Sequence, residues 1–449
     1  MSFFRLRIFA FLLALVLPIQ LHAYALITHE QLVDLTWQDS IVPLLLSQYP
    51  NLTVAELDEA RAYAYGGCVI QDIGYYPYGE ASFSNLTHYV RPGDFVVSLL
   101  RNAHTANELA FAIGALSHYV GDTIGHPLAV NVAVPVEFPS LAAKYGNSVN
   151  YSQGRHQHVQ VEFAFDIDEI VHHRVAPVRY LRHIGLRVSM RQLALAYYQT
   201  YGITDGFSRF RGRRVNVPAY RFAARSFIPR IAYAVTLLHR KSEPAEPAST
   251  ERDDYDAQVA TTAANDDWKK YQDHAGIGTY VLAGVIFILP KIGPLKLVAV
   301  KGPTEETEIG YLHSFLLSTT AFRRYLVRFT VPAVAANASP LRPHNNRHPL
   351  PNRDLDTGSV VQPGGYSLTD STYAALLHRL ALDPTQHIPP GIKEDVQAYY
   401  ANLDLPITTK QNAAAWKQVQ TDLATLAGMP ISSEPEPYPT YGDDAADSE

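Results

Sequence analysis

The run ELAFAIGALSHYV, Glu108 to Val120, is apolar around nearly the full circumference of an α-helix. Such a helix has no polar face to give to water, so other elements must enclose it. Thr105 and Glu108 stand at the spacing of a capping box, which marks its start. From Tyr24 to about Arg240 apolar residues recur at intervals of three and four, turn clusters are short and alternating runs are scarce. The enclosing elements are therefore expected to be helices as well, and the fold class is all-α.

The same run leads into HYVGDTIGH, where His118, Asp122 and His126 are four residues apart. Each step of four advances about 40° around a helix and roughly 6 Å along it, so the three share one face. A buried carboxylate needs a partner. Either a His–Asp hydrogen-bonded pair within the core or a face that grips a divalent metal ion supplies one. Gly121 and Gly125 allow the helix to end before His126.

Companion residues of the same chemical type precede and follow. His29 follows Thr28, which forms a second capping box with Gln31 and places His29 in the first turn of a helix. Asp72, in GGCVIQDIGYYPYG, and His88, in SNLTHYV, flank a tyrosine-rich turn region of the sort that carries ligands over a helical scaffold. In GRHQHVQVEF, His158 and Glu162 are four apart and suit a shared ion, whereas His156 is rotated away by roughly 200°. Tyr75, Tyr76 and Tyr78 offer aromatic faces to a choline-like head group, or simply pack on the domain.

The first residues read as a secretory signal: Arg5 and Arg7, the apolar run IFAFLLALVLPI, then Leu21-His22-Ala23. Cleavage after Ala23 leaves Tyr24 first, and a free terminal amine with its backbone carbonyl is itself a competent metal chelate. Export permits disulfides, yet Cys68 is the only cysteine, so histidine is the ligand type expected. Removing Arg5 and Arg7 moves the formal charge from −6 to −8, which argues against a general nucleic-acid coat. Thirteen arginines against one acid between Ile170 and Arg240 form either a solvated basic face or a phosphate-facing surface.

The chain divides, on this reading, into a signal (1–23), a helical catalytic domain (24–240), a linker or exposed loop (241–254) and a helical extension (255–330). A long loop (331–365), further helices (366–431) and an acidic disordered tail (432–449) follow. The apolar stretch Gly276 to Leu289 is short for a membrane span and reads as a buried or interfacial segment.

The ordered series of N-terminal amine, His, Asp, His, HxxxD, His and HxxxE resembles the zinc-dependent phospholipase C family, which is related to the S1/P1-type nucleases and to the catalytic domain of GPI-specific phospholipase D. The resemblance covers about Tyr24 to Arg240. It implies an all-helical domain with three Zn2+ ions. Asp72, His88, His118 and Asp122 would hold one ion, with Asp122 bridging to a second held by His29 and the amine and carbonyl of Tyr24. His126, His158 and Glu162 would hold the third. Two departures stand out: Tyr24 replaces the usual Trp, and His126 follows Asp122 by four residues instead of six, as in the GPI-specific branch. HxxxE in place of HxxxD leans toward phospholipases.

By the same resemblance, Asp72 is the candidate for orienting or deprotonating the attacking water. The function implied is an exported zinc phosphodiesterase acting on phospholipids at a membrane surface, of phospholipase C or D type. A nuclease or 3′-nucleotidase acting on nucleic acid is the alternative, and a non-catalytic zinc protein that binds a membrane or partner is a second.

Overall fold

The computed structural model describes residues 26–76, 79–203, 217–222, 224–225, 231, 234–235, 249–272, 302–329, 350–389 and 391–432. Among the described residues the secondary structure is helical, and β pairing is confined to two isolated bridges, Arg353 with Val360 and Ile388 with Ile431. The helices of eight residues or more are α1 Leu26–Thr36, α2 Val54–Gly67, α3 Ala81–Tyr89, α4 Pro92–Arg101, α5 Ala106–Gly125, α6 Arg155–Val171, α7 Met190–Tyr201, α8 Thr250–Asn265, α9 Glu305–Phe329, α10 Ser367–Ala381, α11 Ile392–Tyr399 and α12 Ala413–Gly428.

Helix α5 is the axis of the molecule. Its residues from Leu109 to Asp122 are all buried, as its lack of a polar face requires. Thr105 and Glu108 form the expected capping box. Helices α1, α2, α4 and α9 pack around it. The crossing with α2 is backbone on backbone: a Cβ on Gly114 would lie 2.1 Å from the Ala64 carbonyl oxygen, and one on Gly67 would lie 2.0 Å from that of Phe111. Only glycine lets the two helices approach so closely.

After Gly125 the chain passes into a π-helical turn, His126–Val130, so the helical path continues through His126 instead of stopping at a glycine. Pro127 explains the change of pitch, because it has no N–H to give to the carbonyl of Thr123.

Helix α1 differs from its predicted start. It already includes Leu26, and the N–H groups of Ile27 and Thr28 are taken by the Asp166 carboxylate at 3.0 Å each, with the Thr28 hydroxyl donating to the same group at 2.8 Å. The cap comes from α6, across 138 residues, instead of from a Thr28–Gln31 box.

Helix α9 falls within the expected helical extension and lies against both α5 and α1. Helix α8 begins at Thr250, inside the segment read as a linker, because Ser249 caps it through the Arg252 N–H. Buried residues from 255 to 429 join the same apolar core as those of the first two hundred. No helix of the described residues is long and apolar enough to cross a membrane. The signal segment, the stretch Gly276 to Leu289 and most of the acidic tail lie outside the described residues.

Candidate metal centre

Four helices and one turn converge on a buried cluster of imidazoles and carboxylates. His29 is the fourth residue of α1, His88 lies near the end of α3, His118 and Asp122 lie on α5, and His126 opens the π-turn. His158 and Glu162 lie on α6, and Asp72 immediately precedes a short 3-10 helix, Ile73–Tyr75. All eight are buried, at 2 % exposure or less. His156, two residues before His158 on α6, is exposed.

The distances sort these groups into three subsites around Asp122. Its Oδ2 lies 3.0 Å from His118 Nε2 and 3.6 Å from His88 Nε2, and His88 Nε2 is 3.2 Å from Asp72 Oδ1. Its other oxygen, Oδ1, lies 3.3 Å from His29 Nε2 and 3.8 Å from His126 Nε2. His126 Nε2 is also 3.7 Å from Glu162 Oε1, which lies 2.9 Å from His158 Nε2. Ligand atoms on one tetrahedral zinc are about 3.4 Å apart, given Zn–N and Zn–O bonds near 2.1 Å. Three groups satisfy that spacing within 4.8 Å: His29 with His118 and Asp122, Asp72 with His88 and His118, and His126 with His158 and Glu162.

Local structure holds several of these donors in place. His88 Nδ1 donates to the Ser84 carbonyl at 2.8 Å and His118 Nδ1 to the Cys68 carbonyl at 2.9 Å, which turns both Nε2 atoms toward the cluster. The Cys68 carbonyl is in reach because α2 crosses α5 on its glycines. His29 stacks on His118 with ring centroids 4.2 Å apart, and the Cα of Gly121 leaves the His29 ring room on that side.

The electrostatics describe a site short of positive charge. Burial opposes charge on His118, but Asp122 and Asp72 outweigh it and hold the imidazolium up to about 9. Burial brings His126 down to about 4 and also lowers His29, helped there by the neighbouring His118. Burial works against ionised Asp122, yet His118, His126 and His29 keep it well below the usual carboxylate range. Glu162 goes the other way: burial raises it, and Asp72 and Asp122 raise it further. Among the described residues the ion-pair partners of Asp72, Asp122 and Glu162 are all histidines.

The donor set fits divalent metal. Among the described residues, the buried atoms Asp72 Oδ1, both oxygens of Asp122, Glu162 Oε1, and the Nε2 atoms of His88 and His118 have no hydrogen bond of good geometry. Leaving six such atoms unsatisfied in a core costs on the order of 1–3 kcal/mol each. Divalent ions bound by imidazole and carboxylate would satisfy them and supply the missing charge.

Tyr75 and Tyr76 are buried at 3 % and 6 % exposure. Tyr75 donates to Asn85 Oδ1 at 3.0 Å and sets its ring 5.5 Å from that of His88. Tyr24 and Tyr78 lie outside the described residues. Of the described arginines in the basic stretch, Arg174 and Arg225 are buried, whereas Arg179, Arg182 and Arg191 are exposed. Arg225 pairs with Glu30, Arg187 with Glu59 at 2.9 Å, and Arg174 with Glu169, Asp256 and Glu308.

Two acids at this centre are new relative to the sequence reading. Asp166 continues the His158–Glu162 stripe by another four residues, a spacing visible in the sequence, and caps α1 at Ile27 and Thr28, directly before His29. Asp356 arrives from the segment 350–366, where no periodicity announces it, and its Oδ1 lies 3.6 Å from His126 Nδ1. Burial raises both carboxyls to about 7.

Residues 28–206 match the family model described as zinc dependent phospholipase C. Neither a curated protein nor a solved structure matches the chain.

Proposed function

The domain over residues 28–206 belongs to the zinc-dependent phospholipase C family, and from that premise we propose that the protein is an exported phosphodiesterase that hydrolyses phospholipids at a centre of three zinc ions. The observation that carries this reading is Asp122, whose two oxygens face different imidazoles, His118 and His88 on one side and His29 and His126 on the other. A carboxylate so placed would serve two ions, one through each oxygen. In the proposed assignment Asp72, His88, His118 and Asp122 hold one ion, Asp122 and His29 with the amine and carbonyl of Tyr24 a second, and His126, His158 and Glu162 the third.

Bound zinc supplies a water acidic near neutral pH and positive charge for the phosphoryl oxygens. The protein's own groups do the positioning. His88 and His118 are locked by carbonyls of α3 and of the turn after α2, so their Nε2 atoms would meet the ion pre-oriented. Asp72, outside regular helix and 3.2 Å from His88 Nε2, orients the attacking water and takes its proton. Asp166 tethers the start of α1, and with it the segment whose amine at Tyr24 completes the His29 subsite after cleavage following Ala23.

A phospholipid is favoured over nucleic acid because the family model over residues 28–206 is that of a phospholipase C, and because Arg174, Arg187 and Arg225 of the basic stretch are engaged in ion pairs with Glu169, Glu59 and Glu30. Which ester oxygen of the phosphate lies opposite the attacking water, that of the glycerol or that of the head group, would decide between C-type and D-type cleavage, with D-type cleavage the alternative suggested by the four-residue step from Asp122 to His126.

The test is a panel of phosphatidylcholine, a GPI-type lipid, single-stranded nucleic acid and 3′-nucleotides, run beside metal analysis of the purified chain. Close to three zinc ions and turnover of a phospholipid are expected, with Asp122→Asn losing metal and activity together. A chain that holds no zinc and cleaves none of the four substrates would overturn the reading, as would full activity in Asp122→Asn.

A further inference from the structure

We infer that Asp356 is a positioning residue for His126, so that the third subsite is completed by a segment lying outside the family-matched domain. The inference rests on the zinc reading above. It starts from how the neighbouring imidazoles are held: His88 and His118 each spend Nδ1 on a backbone carbonyl, at 2.8 Å and 2.9 Å, and present Nε2 inward. His126 presents Nε2 to Glu162 and Asp122 in the same manner, but what faces its Nδ1 is the Oδ1 of Asp356 at 3.6 Å. That separation is within ion-pair range and about 0.8 Å longer than a charge-assisted hydrogen bond, a gap that a small rotation of the imidazole closes.

Asp356 is itself fixed for this role. Its other oxygen, Oδ2, accepts the hydroxyls of Tyr89 at 2.9 Å and Tyr366 at 2.5 Å, and the two rings meet edge to face. Its backbone carbonyl accepts the Asn131 side-chain amide at 2.7 Å, immediately after the π-turn that carries His126. With Oδ2 held on two donors, Oδ1 remains directed at the ring.

The segment that delivers it is seated on the ligand-bearing helices. The Leu355 N–H donates to the carbonyl of His88 at 3.1 Å, and the Tyr119 hydroxyl donates to that of Pro351 at 2.6 Å. Gly358 sits with φ +67°, and a Cβ there would fall 2.4 Å from the Thr123 carbonyl, the same carbonyl that Pro127 leaves without its helical N–H. The segment therefore docks against the widened turn at the place where the ligand helix changes pitch.

A carboxylate on the far nitrogen of a ligand histidine fixes its tautomer and raises its basicity, and removing such a partner costs 10–100-fold in metal affinity. The test is a zinc titration of the full chain against a competing chelator for wild type, Asp356→Asn, Tyr366→Phe and Glu162→Gln, followed by cobalt substitution and its visible spectrum. Asp356→Asn is expected to weaken one ion by about 10–100-fold and to change the cobalt bands of that site, leaving the others bound. Tyr366→Phe, which keeps the carboxylate but frees one oxygen, is expected to weaken the same ion by a smaller factor even if Asp356→Asn fails to fold. Glu162→Gln marks the loss of that ion independently. Wild type without zinc, or Glu162→Gln binding as wild type does, would refute the zinc assignment itself. Loss of an ion in Glu162→Gln with unchanged binding in either the Asp356 or the Tyr366 variant would overturn the inference alone.

Discussion

Gly114→Ala offers a direct test of how the core sets the metal centre. A methyl there would lie 2.1 Å from the Ala64 carbonyl oxygen and 2.7 Å from the Cys68 nitrogen, both backbone atoms. Restoring ordinary contact requires α2 and α5 to part by about 1 Å, and overpacking of this kind costs about 1–3 kcal/mol, at the upper end where no flexible side chain yields. Replacing glycine within a helix returns about 1 kcal/mol through propensity and unfolded-state entropy. Packing wins, and a net loss of about 2 kcal/mol is expected. The same displacement stretches the 2.9 Å bond from His118 Nδ1 to the Cys68 carbonyl, so zinc affinity is expected to fall by about 10-fold or more. Gly121, on the same helix, is the control. Its Cβ would meet the His29 ring at 3.5 Å, ordinary contact, so Gly121→Ala is expected to be neutral or stabilising by up to about 1 kcal/mol. Denaturant unfolding of zinc-loaded and chelated protein, with zinc competition alongside, reads both quantities. Gly114→Ala as stable as wild type, with unchanged zinc affinity, would refute the argument.

Asp166→Ala removes a carboxylate that accepts the Ile27 and Thr28 N–H groups and the Thr28 hydroxyl, and is expected to cost about 2–3 kcal/mol. It is also expected to weaken the ion at His29, so metal analysis that finds full zinc in a destabilised variant would separate the cap from the site. Glu169, away from the cluster, is raised by burial to about 7 despite Arg174 and Tyr255. Between about 4.5 and 7 the folded chain then holds a proton the unfolded chain has released, so this group's contribution to stability falls as pH rises through that window. Glu169→Gln is expected to flatten the pH dependence of unfolding free energy between pH 5 and 7 by up to about 1.4 kcal/mol per pH unit, and an unchanged slope would count against it.

The clustering of these imidazoles and carboxylates was legible because they follow helical periods. His118, Asp122 and His126, and again His158 and Glu162, declare a shared face by spacing alone, and the apolar run before them fixes which face is buried. Asp166 obeys the same rule. What the period could not show is that it reaches past the cluster to cap α1, because a sequence stripe does not name the helix it will meet. The start of α1 was misjudged for the same reason: a local capping box competes with a distant carboxylate, and the distant one won. Asp356 lies in RDLDTGS, where Asp354 closes a turn on Thr357 at 2.7 Å. Locally that is an ordinary polar loop, and its importance depends on a Tyr89 hydroxyl 267 residues away. The tyrosines Tyr75 and Tyr76 carried no signal that distinguished an open aromatic surface from the buried packing observed.

The seating of residues 350–366 against α3 and α5 also has a consequence for the order of events in folding. Every ligand-type residue from His29 to Glu162 belongs to the first part of the chain to be made, whereas the carboxylate facing His126 comes 230 positions after that histidine. At synthesis rates of roughly 5–20 residues per second, about 10–50 s separate the two. Contacts of such long range close late, after the entropy of the intervening chain has been surrendered. The helical core can therefore gather its imidazoles early while His126 waits for its partner, and the centre reaches its final form only when the second half of the chain has come home.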